Sequence, residues 1–198
     1  MDDATRRLVG VGAMLAPAVH TLTDAIEWAQ GGFSPAQLWL NYAAFAPLPV
    51  LALGLYAAQR PRISRLGLAG ALLYGYAFVY FAHTALLCLA TGIRTYGALW
   101  DRLGAAYTIH GAVMVAGGLV FGFATERARV LPRWAAWAFL LGVGLNLVVA
   151  LLPVPELLQT AGSALRNAGL AGMGWSLVRG TGGTGAEDLA GGRRYRAP

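Results

Sequence analysis

Residues 66–91 read LGLAGALLYGYAFVYFAHTALLCLAT, a stretch without one aspartate, glutamate, lysine or arginine. As an α-helix it is about 39 Å long at about 1.5 Å per residue, against a hydrocarbon core of about 30 Å. A run of this length and composition is a membrane span. Working outward from it, residues 8–26, 36–58, 105–124 and 134–152 have the same character. A sixth stretch, 157–178, is long enough but polar in its first half, with Gln159, Ser163, Arg166 and Asn167. The first stretch follows Arg6 and Arg7 as a signal peptide would, but it runs into Asp24, Glu27 and Trp28 rather than a small-residue cleavage site. It therefore reads as a retained span.

The composition of the whole chain agrees. Of 198 residues, 57% are hydrophobic and 12% charged, where a soluble domain carries about 25% charged residues. So few charges exclude an ordinary cytosolic enzyme, a disordered regulator and a nucleic-acid binder. The single cysteine, Cys88, excludes an internal disulfide and a cysteine-based metal site.

All 15 basic residues are arginines, and their placement orders the spans. With six spans and an inner amino terminus, 12 of the 15 lie on the inner side, and only Arg94, Arg102 and Arg166 stay outside. With five spans the excess nearly vanishes, because the arginines of the tail change sides. The positive-inside rule thus favours six spans with both termini cytoplasmic, five being the alternative. The expected protein is an all-α, multi-pass helical bundle of the cell membrane, with one domain over residues 1–178. Residues 179–198, rich in glycine and charge, are expected to be a disordered cytoplasmic tail. Pro47 and Pro49 should kink the second span, and Pro17 the first. Gly118 and Gly122 form a small-xxx-small pair suited to close helix approach, and so to a homodimer.

Ionisable groups inside lipid cost about 2.5–3.5 kcal/mol each, so each asks for a reason. His20, Asp24 and Glu27 share one face of the first span. Tyr76, Tyr80 and His83 repeat that spacing in the third, and Tyr107 and His110 lie one turn apart in the fourth. The alternation of spans brings all of these, together with Asn41 and Arg166, to the outer half of the bundle. Their expected meeting at one depth makes them the candidate site. His20, Asp24, Glu27, His83 and His110 are the catalytic candidates. Tyr76, Tyr80, Tyr107, Asn41, Arg94, Trp100 and Arg166 are the substrate-binding ones. The loop between the histidine-bearing spans also holds Trp100. Its Asp101 and Arg102 read first as solvated loop charges; the alternative is a lid over the pocket, with Arg94 holding an anionic or polar head group.

A carboxyl group in an apolar pocket can hold a proton near neutrality and give it up to a substrate. A second carboxylate or a histidine can take a proton back. Tyrosine faces stabilise developing positive charge. These residues suit an acid–base enzyme acting on a lipid or isoprenoid by protonation-initiated cyclisation or isomerisation, with no cofactor. Two other readings use the same residues. One is a haem b or quinone protein with two of His20, His83 and His110 as axial ligands, or a mononuclear metal site on those histidines and Asp24. The other is a non-catalytic transporter or sensor subunit with a proton-relay cluster.

The small, loop-poor helical architecture and the Asp24/Glu27 pair resemble the integral-membrane terpene cyclases of meroterpenoid pathways. That resemblance implies protonation of an epoxide or alkene by paired acidic residues. The chain is shorter than the seven-span fungal members. It has no DDxxD-like run, so the resemblance does not imply Mg²⁺ or diphosphate chemistry.

Overall fold

The computed structural model describes residues 1–151 and 156–180. Residues from 181 on, where the sequence places the tail, lie outside the described residues. The described chain is all-α. Its helices are α1 (Asp3–Gln30), α2 (Pro35–Phe45), α3 (Leu48–Ala58), α4 (Arg65–Thr91), α5 (Tyr96–Leu103), α6 (Ala105–Ala128), α7 (Arg133–Leu151) and α8 (Glu156–Arg179).

Local chemistry sets the ends of these helices. Asp2 Oδ1 accepts from the Thr5 amide at 2.7 Å and caps α1. Ser34 caps α2 in the same way, with Pro35 at the first helical position, where its missing N–H costs nothing. Thr95 caps α5. Gly31 and Gly92 end α1 and α4 in the left-handed conformation, at φ 67° and 73°, which glycine adopts without a Cβ penalty. The second apolar stretch is two helices, α2 and α3. Ala46 and Pro47 separate them, because Pro47 and Pro49 remove helical N–H donors and crowd the preceding turn.

Helices adjacent in the chain pack side by side, and α8 closes the ring against α1. The short α5 lies outside this ring against the start of α6. Large side chains fill the middle: Leu55, Tyr74, Phe78, Phe121, Phe139 and Met173 are all fully buried. Between apolar helices in lipid the hydrophobic drive to associate is weak, so close backbone contact through small residues does the work. A Cβ on Gly10 would lie 2.8 Å from the Gly174 carbonyl oxygen, which locks α1 to α8. Gly70 and Gly117 do the same between α4 and α6, and Gly142 receives the backbone of Arg166 between α7 and α8.

The Gly118/Gly122 pair corrects an expectation. A Cβ on Gly122 would lie 2.6 Å from Leu140, and one on Gly118 3.1 Å from Val143. The pair packs against α7 within the chain, so this face is not free for a homodimer.

Among the described residues, four helical segments are long and apolar enough to cross a membrane: α1, α2 with α3 (Pro35–Ala58), α4 and α6. The apolar part of α7, Arg133–Val148, is shorter, and α8 carries buried Ser163, Arg166 and Asn167.

The contact at Gly142 gives a test. Gly142→Val should lower stability by about 2–3 kcal/mol, because α8 must move off α7 at Arg166. Gly144→Ala, where nothing lies within 4 Å, should be neutral or stabilising by up to about 1 kcal/mol. Thermal unfolding in detergent micelles checks both, and equal effects at the two positions would contradict the packing described.

Candidate functional site

On α1, His20 and Asp24 stand one turn apart, at a spacing that puts both on one helix face. The His20 ring is 5% exposed, and its Nε2 lies 3.4 Å from Asp24 Oδ1. Across the bundle, Arg166 of α8 is 2% exposed and places Nη2 3.4 Å from His20 Nδ1. A guanidinium has no acceptor, so His20 Nδ1 must accept from it. The ring proton then belongs to Nε2, which faces the Asp24 carboxylate. A neutral imidazole is thereby held between a cation and an acid, and its tautomer is fixed from both sides.

Apolar and soft groups fill the rest of the Arg166 shell. Its Nη1 donates to the Met114 sulfur at 3.4 Å, and its Cζ stands 5.6 Å from the centre of the Phe78 ring. Phe45 meets His20 edge-on at 4.6 Å between ring centres. Arg166 Nε is buried without a hydrogen-bond partner among the described residues. Thr23 ties the site to α2, since its hydroxyl lies 2.7 Å from Asn41 Oδ1 and 2.8 Å from the His20 carbonyl oxygen. Asn167 ties it to α8 by donating to Thr21 Oγ1 at 3.0 Å.

Two turns further out along α1, Glu27 accepts from Gln37 Nε2 and from the Tyr96 hydroxyl, each at 3.4 Å. Tyr96 begins α5 and packs edge-on against Phe33. The Phe33 amide donates to the Arg94 carbonyl oxygen at 2.7 Å, so the outer loop is fastened beside the end of α1. Glu27, Asp24 and His20 thus form a polar column that enters from the outer loop and ends on Arg166. Below it Ala13, Pro17, Leu48, Leu51, Tyr74 and Leu170 line an apolar cavity with free volume of about 10 Å³, on the order of a single water. Beyond that cavity the buried Gln59 Nε2 donates to Thr125 Oγ1 at 3.2 Å.

The other sequence candidates lie elsewhere. His110 stacks face to face on Tyr80, with 3.6 Å between ring centres and planes 8° apart. Its Nδ1 meets the Ala106 carbonyl oxygen at 2.7 Å and its Nε2 the Tyr76 hydroxyl at 3.2 Å. Tyr107 packs edge-on against Phe81 and Trp100 near the outer loop. His83 is exposed on α4, and the Arg94 side chain is exposed in the loop. The three histidines, expected at one depth, lie in three different surroundings, because direction follows from helix rotation. The structure therefore does not bring them together as one cluster. Two axial haem ligands would need free ring nitrogens facing one another. His20 and His110 have both nitrogens engaged, so the described residues do not fit a bis-histidine haem. Among the described residues no group of three His, Cys, Asp or Glu side chains converges as a metal site.

Thr23, Met114, Phe45 and Phe78 complete the site without a signal in the sequence. An intrahelical threonine, a methionine and two phenylalanines are ordinary core residues until a buried charge is placed against them.

A double-mutant cycle tests the charge balance. Arg166→Met alone leaves the Asp24 carboxylate without its compensating charge and should cost about 3–5 kcal/mol. Combining it with Asp24→Asn should recover at least about 1 kcal/mol of the summed loss. Thermal unfolding in micelles reads the cycle, and strict additivity would mean that the two groups do not interact.

Comparison with protein-family models, with curated proteins and with solved structures gives no match for this chain.

Proposed function

We propose that the chain is a six-span membrane protein with both termini cytoplasmic, working as an acid–base enzyme on a lipid or isoprenoid substrate at Asp24. The observation that carries this reading is the one-sided polar column. It runs from Glu27 through Asp24 to His20 and stops at Arg166, with apolar packing beneath. A path for protons across the membrane needs polar groups through both halves. A column that ends halfway suits chemistry performed at its floor.

The roles follow from what each atom faces. Asp24 Oδ1 is occupied by the His20 Nε2–H, which leaves Oδ2 to hold and deliver a proton. Because Nδ1 faces a guanidinium, His20 orients Asp24 and does not serve as a base. Glu27, already the acceptor for two donors, is placed to take a proton back. In this reading Asp24 Oδ2–H protonates an alkene or epoxide oxygen. The resulting cation rearranges next to aromatic faces, and a proton then leaves carbon for the Glu27 carboxylate. Regeneration moves that proton back to Asp24. The void below Tyr74 is far too small for an isoprenoid chain, so the substrate occupies the outer side of Asp24, beneath α5 and beside Tyr107 and Trp100. The likeness in plan to integral-membrane terpene cyclases supports the same chemistry.

The test uses purified protein in nanodiscs, with 10,11-epoxyfarnesyl acetate and a set of unsaturated polyprenols in D₂O. Product carrying solvent deuterium is expected. Asp24→Asn should lower its rate by about 10²–10⁴-fold while the variant remains folded and inserted, with a lowered unfolding transition because Arg166 loses its facing charge. Full activity in both Asp24→Asn and Glu27→Gln would end the reading. So would proton flux through vesicles containing the protein, since that needs a path through the apolar floor.

A further inference from the structure

The opposite end of the bundle holds a second polar feature that acid–base chemistry does not use. The start of α1, the end of α3, the turn after α6 and the end of α8 surround a cleft of about 230 Å³. Its polar wall is made by Arg6, Arg60 and Ser176, and its apolar wall by Ala57, Ala58, Val130 and Leu177. Arg6 is partly anchored, with Nη2 3.2 Å from Asp3 Oδ1, while its Nε is buried without an acceptor among the described residues. Arg60 is exposed at the rim. This end is also the basic end. Arg62, Arg65, Arg127 and Arg129 surround the cleft in sequence, and the acidic Glu126 is already taken by Arg133 at 2.8 Å.

We propose that this cleft binds a phosphate group, carried by an anionic lipid or free in solution. Three features support it. Two guanidinium groups come from different spans, Arg6 from α1 and Arg60 from beyond α3, so their convergence requires the folded bundle. Guanidinium forks match phosphate oxygens with two parallel N–H donors. A cleft of about 230 Å³ accommodates a phosphate with part of its glycerol, beside the apolar side chains of Ala57, Ala58, Val130 and Leu177. A basic pocket between helix ends is the arrangement by which membrane proteins select anionic head groups.

The experiment compares the full chain in nanodiscs of phosphatidylcholine alone with nanodiscs containing phosphatidylglycerol or phosphatidic acid. A parallel arm adds inorganic phosphate to the phosphatidylcholine discs. Thermal unfolding reads binding, because a ligand of the folded state raises the transition temperature in proportion to its occupancy. Wild type should be stabilised by anionic lipid. Arg60→Gln and Arg6→Gln should each weaken the apparent affinity about fivefold, and the double variant should lose the shift. Arg127→Gln, on the same end but outside the cleft lining, should retain it. Stabilisation by inorganic phosphate as well identifies the free anion as a sufficient ligand, and stabilisation by lipid alone assigns the site to a head group. Because Arg60 is exposed, Arg60→Gln keeps the test valid if Arg6→Gln fails to fold. Equal loss in Arg127→Gln would reduce the effect to general surface charge and overturn the site. Absence of a shift with every anion would overturn it as well.

Discussion

An arginine that is 2% exposed inside an apolar bundle is the constraint from which the rest of the outer half follows. Taking a guanidinium out of water costs several kcal/mol, and only a well-placed answering charge with good hydrogen bonding repays it. Asp24 supplies that charge, but His20 stands between the two. The imidazole accepts from Arg166 and presents its remaining N–H to Asp24. Thr23, Asn41, Thr21 and Asn167 hold the flanking helices in the register this requires. Gly142, with no Cβ, lets the backbone of α8 come close enough to α7 for Arg166 to sit at this level. The glycine seam and the buried charge are one design: without the first, the second could not be reached.

The two ends of the bundle are built on different electrostatics. Toward the outer loop, carboxylates and a neutral histidine form a column sheltered by Tyr96, Tyr107 and Trp100. Toward the other end, among the described residues, arginines predominate, Asp3 pairs with Arg6 and Glu126 with Arg133. Between them lies a layer of buried Leu51, Leu55, Tyr74, Phe121 and Phe139.

Much of the fold was legible in the sequence because its signals are additive. Apolar length predicts helices. The ends of the helices, capped by Asp2, Ser34 and Thr95 and stopped at Gly31 and Gly92, come from the structure. Pro47 and Pro49 predict a kink in the second span, and the structure goes further, dividing it into α2 and α3. The site was legible in part, for a geometric reason. Spacing on one helix is set by the 100° turn per residue, so His20, Asp24 and Glu27 belong together before any packing is known. Spacing between helices depends on the rotation of each about its axis, which depth does not fix. That is why His110 turned to Tyr76 and Tyr80, His83 to the exposed surface, and Arg166 to His20, although all four share the outer half.

The sequence alone determines a chain of apolar helices long enough to cross a membrane, with few ionisable groups on them, because hydrophobic length and charge count are properties of composition. Only the tertiary structure decides which of those groups meet. It joins α1 to α8 through Gly10 and Gly174, brings Arg166 to His20, and spends Gly118 and Gly122 inside the chain. Such choices rest on the closeness of two backbones and on the direction of side chains across them, and neither quantity is written in the order of residues along one helix.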